Sequence, residues 1–403
     1  MNLADVHEEG CIVTERNTRS DGIPGRVAIV HNSDFQMEGQ GGTDAYVRGL
    51  TGALEGLGIE TWQVDVAIAS PRRIEREIVV ARHPISNYIA PLFLCRAALR
   101  MRSRRDWIVH VQRPEQLLPF LLIAGRKRLL VTTVHGPVRE AMRRMRSGPT
   151  ASAYSLLERI GLKIAGAVIF VNRRAYDSYI ELYPWLKAKS HVIPTGVEPA
   201  FFEESVSEID AKKKFGFKPN EKIICFVGRL NPEKNVDLIL RSFAGIAKER
   251  KDLRLAIAGE GGLRSELEEL SRNLGIGNQV VFLGKVPHPE IKSLLAASDI
   301  LVLASRWEGS PTVIKEALAT RTRIVTTNVG DVGEIINDAS LGTVVSEADE
   351  RSLAEGMKAA LQKARPAEIQ PSIRRLGWDC IGESILALYR QAVTEKGNKK
   401  RDL

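Results

Sequence analysis

The chain has 403 residues, 44% of them hydrophobic and 27% charged, with a formal net charge of +9. That is the composition of a soluble globular protein of two to three domains. Its longest purely apolar run, Leu121 to Gly125, is too short to cross a bilayer. Four cysteines without CxxC spacing or matched histidines read as reduced thiols of a cytosolic protein, not as a zinc site.

Residues 1–25 begin with the polar, acidic MNLADVHEEG, which does not read as a secretory signal, and show no periodicity. A flexible tail is expected there. RVAIVHN, residues 26–32, predicts a buried strand, and GGTDAYVRGLTGALEGLG, residues 41–58, a helix opened by glycine. Strands follow at TWQVDVA, DWIVHVQ, RLLVTTVHG, AGAVIFVN and SHVIPTG, with a helix at LLPFLLIAG. Apolar strands alternating with helices predict a parallel sheet wound by crossover helices. After residues 197–222 the pattern starts again, through KIICFVG, LRLAIAGEG, QVVFLGKV, IKSLLAASDILVLAS, RIVTTNV and GTVVS. An amphipathic helix with Trp378, Ile381, Ile385 and Leu388 closes the chain. The expected class is α/β: a tail at 1–25, doubly wound Rossmann-like domains at 26–197 and 198–377, a helix at 378–395 packing back on the first domain, and a basic tail at 396–403. Two such domains face a central cleft, where ligands are expected.

SRWEGSPTVIKEAL, residues 305–318, places Glu308 before a Ser-Pro turn and Glu316 beyond it. Ser310 is a good N-cap and Pro311 a good first helical residue, so a helix is expected from Pro311 through Ala319. Val313, Ile314, Ala317 and Leu318 share its apolar face, with Thr312 and Glu316 on the flank. The unpaired amides of its first turn favour an anion near Glu308. An ordinary capped helix with solvated glutamates reads the same way. FVGRLNPEKNVDLIL, residues 226–240, adds Arg229 and Lys234 beside a helix start near Pro232, a diphosphate clamp or two surface cations. There is no Walker A pattern, no GxGxxG opening a helix after a strand, and no Asp-x-Asp pair to hold a divalent metal. If the protein cleaves a diphosphate ester, side-chain cations must offset the leaving charge.

The order of these pieces resembles the retaining GT-B glycosyltransferases of family 4, from Arg26 to about Ala392. The matching pieces are Gly41-Gly42, IVHVQ with His110, TTVHG with His135, IPTGVEPAFF, VGRLNPEKN, AIAGEGGLRSEL, VVFLGKV and the E-x7-E element from Glu308 to Glu316. The resemblance implies that Glu316 binds the ribose of a sugar nucleotide and that Glu308 lies near the transferred sugar. It implies that the amides from Gly309 through Ser310 to Thr312 face the diphosphate, with Arg229 and Lys234 as its cations. Gly41 and Gly42 would bring backbone close to phosphate or acceptor, Val286 would lie where the base is seated, and His135 would stand by the donor sugar as a positioning group. For His110 a structural role is expected. No cofactor and no metal are implied; the nucleotide sugar, UDP-linked rather than GDP-linked, is a substrate. Three positions depart from the family's pattern: Arg321-Thr322-Arg323 replaces a common Gly-x-Pro, Thr195-Gly196-Val197-Glu198 replaces Asn-Gly-Val-Asp, and Asn172 stands where a serine is common.

Of the net charge, +7 lies in residues 1–200, concentrated in CRAALRMRSRR (95–105) and REAMRRMR (139–146). The basic stretches lack interleaved aromatics and no RNP-like, zinc-finger or KH-like signature appears, which argues against nucleic acid. The apolar run Ile89 to Leu94 leads into the first arginine cluster, so segments 89–105 and 139–146 are expected to meet an anionic membrane surface. The expected protein is a cytoplasmic, metal-independent retaining glycosyltransferase, peripheral on the inner membrane face, acting on a glycan or lipid-linked acceptor. The alternatives are a nucleotide-sugar 2-epimerase of the same fold and a non-catalytic nucleotide-sugar-binding subunit, the latter motivated by Arg321 and Arg323.

Overall fold

A computed structural model of the protein describes residues 25–31, 42–65, 90–100, 107–124, 128–136, 149–204 and 207–398. The chain divides into two units, Met1–Gly196 with Gly377–Leu403, and Val197–Leu376. Among the described residues each unit holds one parallel six-stranded sheet.

In the first unit the strands are β1 (Arg26–His31), β2 (Glu60–Asp65), β3 (Ile108–Val111), β4 (Leu130–Val134), β5 (Ala167–Phe170) and β6 (Ser190–Val192), in the spatial order β2-β1-β3-β4-β5-β6. Its helices include α1 (Gly42–Gly56), α2 (Ala90–Arg100), α3 (Leu118–Ala124), α4 (Pro149–Ile164) and α5 (Arg173–Leu182). The inner strands β1, β3, β4 and β5 are buried at every position but Arg26, because helices cover both faces of a parallel sheet. Along β1, Ala28 and Val30 enter one core and Val27 and Ile29 the other, the two-residue alternation of a pleated strand.

The second unit contains β7 (Lys222–Val227), β8 (Leu253–Ala258), β9 (Val280–Gly284), β10 (Ile300–Leu303), β11 (Arg323–Thr327) and β12 (Gly342–Val345), in the order β12-β11-β10-β7-β8-β9. Its helices include α6 (Glu208–Lys214), α7 (Val236–Ala247), α8 (Arg264–Asn273), α9 (His288–Ala297), α10 (Thr312–Ala319), α11 (Val332–Ile335), α12 (Glu350–Leu361) and α13 (Pro371–Arg374). The chain leaves β7 toward β8 on one side and later returns to lay β10 on the other. The loops after β7 and β10 therefore diverge at the carboxyl edge, the switch point where doubly wound sheets bind ligands.

The last helix, α14 (Trp378–Asn398), rejoins the first unit. Trp378, Ile381, Ile385 and Tyr389 pack with Tyr46, Leu50 and Leu54 of α1. His110, fully buried in β3, lies 2.7 Å through Nδ1 from the Tyr389 hydroxyl and 2.7 Å through Nε2 from Thr133 Oγ1. Burial pushes its pKa down to about 3, so the ring is neutral, with one nitrogen donating and the other accepting. These bonds give His110 a structural place. The α1–α14 contact is so close that an added Cβ at Gly49 would lie 1.9 Å from Trp378 Nε1. Gly49→Ala is expected to cost about 1–3 kcal/mol, as overpacking does, read as a lower thermal midpoint; an unchanged midpoint would contradict this packing.

One local expectation is narrowed and one is corrected. Of segment 89–105, expected at a membrane surface, the side chains described are those of residues 94–99: Leu94, Ala97 and Ala98 are buried in the first unit's core, leaving Arg96 and Leu99 exposed. Helical spacing at 94, 97 and 98 explains why. The helix of the E-x7-E element starts at Thr312, not Pro311: Pro311 is its N-cap, and no side chain caps it. The tail at 1–25 falls outside the described residues except for Gly25, as do Gly41, segment 139–146 and residues 399–403.

Candidate active site

The two loops at the switch point of the second unit carry most of the expected donor residues. After β7 the chain runs through a polar loop to one short turn, Pro232–Lys234, and enters α7 by way of Asn235, whose φ of 54° is left-handed. Asparagine tolerates that conformation better than most residues. Arg229 projects from this loop, mostly exposed, 3.6 Å from Glu233. After β10 the second loop folds onto the first. Arg306 donates from its backbone N to the Glu233 carbonyl at 2.9 Å and from Nε to Asn235 Oδ1 at 3.2 Å. Lys234 Nζ pairs with Glu308 Oε1, which also accepts from Ser305 Oγ at 2.8 Å. Lys234 and Glu308, 74 residues apart in sequence, thus meet as a largely buried ion pair.

Ser310 does not cap the helix. Its Oγ donates to Asp331 Oδ2 at 2.6 Å and accepts from Lys315 Nζ at 2.6 Å. Lys315 Nζ is also 3.0 Å from Asp331 Oδ2, and the lysine side chain is wholly buried. Burial lowers the Lys315 pKa, opposed by the charge and hydrogen bond of Asp331. Asp331 Oδ1 is buried without a hydrogen-bond partner among the described residues. Gly330, at φ 57°, precedes it, and a Cβ there would stand 2.4 Å from the Gly309 carbonyl oxygen. Only glycine allows the β11–α11 turn to press so closely on the loop that holds Gly309, Ser310 and Thr312. Lys315 and Asp331 were missed from sequence. The available signal was a lysine amid the apolar run of α10, a poor position for a charge unless it is paired.

Glu316 lies one turn further along α10 and is buried. Its Oε1 accepts from His288 Nε2 at 2.9 Å, while His288 Nδ1 is 3.5 Å from Glu198 Oε1. Burial disfavours a charged imidazole, but the hydrogen bonds and charges of Glu198 and Glu316 outweigh it and push the His288 pKa up to about 10. His288 therefore carries both ring protons near neutral pH. Val286, two residues before it in the turn from β9 to α9, is half-buried against the second unit's core. His288 and Glu198 were also missed from sequence.

Comparisons with known proteins bear on this geometry. Residues 207–372 match the profile of the family described as glycosyl transferases group 1, and residues 40–201 that of glycosyltransferase family 4. The chain belongs to glycosyltransferase family 4. An uncharacterised glycosyltransferase of Methanocaldococcus jannaschii is 30% identical over 239 residues, 57% of this chain and 61% of that protein. The chain thus spans about three fifths of that relative's length. A D-inositol 3-phosphate glycosyltransferase of Acidothermus cellulolyticus is 25% identical over 93% of this chain and 92% of its own. Among solved structures, the Anabaena protein HepE in complex with UDP and glucose superposes with a TM-score of 0.65 at 17% identity, covering 92% of this chain and 99% of that one. The fold is GT-B, two Rossmann-like units in one chain.

The remaining family 4 positions can be placed on this frame. Gly42 begins α1 in open surroundings, with nothing within 4 Å of where a Cβ would stand. His135 follows β4 in the first unit. Its Nε2 donates to Gln112 Oε1 at 2.9 Å, and its ring stands edge-on to Tyr46 at 4.7 Å. Burial, then the charges of His31, His110 and Arg113, hold its pKa well below the usual histidine range. It is thus a neutral hydrogen-bonding group. His31 and Asp44, at the end of β1 and the start of α1, lie 2.5 Å apart and are buried together. This pair was also not anticipated. Two of the three departures from the family pattern have a structural use here. Asn172 caps α5, accepting from the Ala175 amide at 2.6 Å. Arg321 takes a left-handed φ of 61° and donates to the Ala367 carbonyl, while Arg323 donates to those of Ala364 and Ser340. Both arginines are spent on backbone carbonyls of their own unit.

Proposed function

We propose that this protein is a retaining, metal-independent glycosyltransferase that moves a sugar from a nucleoside-diphosphate sugar, UDP-linked, to a glycan or lipid-linked acceptor. The observation that carries this reading is the joining of the loops after β7 and β10 at the switch point, where Lys234 and Glu308 meet. Arg229, Lys234 and the backbone N–H groups of Gly309, Ser310 and Thr312 then bind the diphosphate. An ammonium has three protons to donate; with one on Glu308, the others remain for phosphate oxygens. Two side-chain cations offset the charge that develops as the nucleoside diphosphate leaves, the work a divalent metal does elsewhere. Glu308, fixed by Lys234 and Ser305, accepts from a hydroxyl of the transferred sugar, and Glu316 accepts from the ribose. Val286 lines the base.

Retention follows if the acceptor attacks from the face that the diphosphate leaves, with a departing phosphate oxygen taking the acceptor proton. His135, being neutral, can donate or accept a hydrogen bond but is a poor proton store, so it positions the sugar. The solved complex of HepE with UDP and glucose supports a UDP donor, and the name of the Acidothermus relative supports glycosyl transfer. Neither the family matches nor the named relatives favour a 2-epimerase. The non-catalytic reading loses its motive, because Arg321 and Arg323 have structural partners. Incubation with UDP-sugars and candidate acceptors in EDTA is expected to release UDP and, from an α-linked donor, give an α-linked product by NMR. A β-linked product, or release that requires added Mg²⁺, would overturn the mechanism.

Among the described residues no helix is long and apolar enough to cross a membrane. A peripheral membrane contact is supported instead by α4. Leu156, Leu157 and Ile160 are 57%, 38% and 36% exposed there, beside exposed Arg159 and Lys163, and the helix's one acid, Glu158, is buried. Apolar and basic side chains on one helix suit an anionic leaflet. The protein is expected to float with phosphatidylglycerol vesicles at low salt and to release as salt rises. Leu156→Asp with Ile160→Asp is expected to abolish flotation. Flotation indifferent to lipid charge, salt and these substitutions would sink the membrane reading.

A further inference from the structure

His288 has no part in the transfer scheme above, yet it is tied into the site from two directions. On one side it donates to Glu316 Oε1 at 2.9 Å. On the other it stands 3.5 Å from Glu198 Oε1, with its ring 5.4 Å from that of Phe201. Glu198 precedes and Phe201 ends the short turn Pro199–Phe201 at the start of the second unit, so one four-residue segment grips the imidazole from its far side. Glu316 has no other ion-pair partner among the described residues, and its Oε2 has no hydrogen-bond partner among them. One oxygen of this buried carboxylate is anchored and the other is open.

We propose that His288 is a positioning residue for the donor's ribose: held by Glu198 and Phe201, it fixes one oxygen of Glu316 and leaves the other to accept from the ribose hydroxyls. This rests on the assignment of Glu316 to the ribose made above. The physical case has three parts. A buried carboxylate without a cation is costly and tends to take up a proton, after which its hydroxyl no longer offers the same pair of acceptors. A charged imidazole cancels that cost without a long flexible stem. Its two N–H groups point in different directions, so a single rigid ring can bridge two carboxylates, which a lysine cannot do with comparable precision. With His288 in place Glu316 is held in a fixed rotamer by a cationic partner 2.9 Å away; without it that anchor is lost.

The test compares UDP with 2′,3′-dideoxy-UDP, which lacks both ribose hydroxyls, by calorimetry in EDTA. Wild type is expected to prefer UDP. His288→Ala is expected to weaken UDP binding about 10- to 100-fold, the range for a hydrogen bond to a charged group. It should change dideoxy-UDP binding only a few-fold, so the preference collapses. His288→Gln keeps an N–H donor toward Glu316 and is expected to retain most of the preference. Glu198→Gln, which keeps the histidine but loosens its far anchor, should reduce the preference by a smaller factor. A merely structural role would lower both nucleotides together. The proposal is overturned if His288→Ala weakens both equally, or if it leaves the UDP preference intact while Glu316→Ala removes it. A wild type that binds UDP with no preference over the dideoxy compound instead contradicts the ribose assignment of Glu316, and a wild type that binds neither removes the UDP-donor reading itself; either result takes this inference with it.

Discussion

Glu316→Ala is expected to weaken UDP binding by about 1.5–3 kcal/mol, roughly 10- to 150-fold, in EDTA, because the ribose loses a charged acceptor. The carboxylate sits on α10 with one oxygen on His288 and the other without a partner among the described residues, so its deletion removes an acceptor already oriented for a hydroxyl. The loss should appear in donor affinity rather than in the rate of a saturated enzyme, since ribose contacts form in the ground state and the transition state alike. Thermal stability is expected to change little. His288 keeps Glu198 as a partner, so no buried charge is stranded. Glu308→Ala should behave differently. Glu308 holds Lys234 next to the expected diphosphate and is placed by the resemblance near the reacting sugar, so its loss should fall mainly on kcat. If Glu316→Ala leaves UDP affinity unchanged, the ribose assignment is wrong.

Lys315→Ala should produce the largest loss of stability of any single substitution considered. The ammonium is wholly buried, 3.0 Å from Asp331 Oδ2 and 2.6 Å from Ser310 Oγ. Removing it strands Asp331, which is 3% exposed and already has one oxygen without a partner among the described residues. Breaking a buried pair from one side costs about 3–5 kcal/mol. For a unit of this size that is a fall of roughly 6–20 °C in thermal midpoint, at about 2–4 °C per kcal/mol. Replacing both partners, Lys315→Met with Asp331→Asn, leaves no stranded charge and is expected to recover most of that stability. The double variant should still bind UDP more weakly, because Ser310 then loses the ammonium that fixes it. If the single and double variants melt together, the pair is not what holds this loop.

The architecture was legible because buried parallel strands write themselves as short apolar runs. RVAIVH, LVTTV, KIICFV and RIVTT each form the strand their composition predicts, and the wide spacing between runs leaves room for crossover helices. The meeting of Lys234 with Glu308 was foreshadowed only by the resemblance, since the two are 74 residues apart. What local reading could not reach were charge pairs whose members lie on different elements. Lys315 and Asp331 belong to α10 and to the turn after β11, and His288 and Glu198 are 90 residues apart. Apart from Lys315, whose place amid the apolar run of α10 is itself a signal, each looks like an ordinary surface residue until the sheet order brings its partner alongside. The same limit explains part of α2: Leu94, Ala97 and Ala98 lie in a stretch that looks like a membrane anchor in sequence and become core once the helix is set against the sheet. Ser310 shows the converse, a good capping residue by type that is taken by a stronger tertiary partner, the Lys315–Asp331 pair.

The measurement that bears most directly on the account is calorimetry of UDP, GDP and ADP against the wild-type protein in EDTA. Binding of UDP in preference to the other two, with no metal present, is the predicted result. It would fit a donor site in which Arg229, Lys234 and the backbone N–H groups of Gly309, Ser310 and Thr312 hold the diphosphate. Failure of all three to bind, or binding of UDP only when Mg²⁺ is restored, would contradict the account and leave the switch-point cluster as a feature of the fold alone.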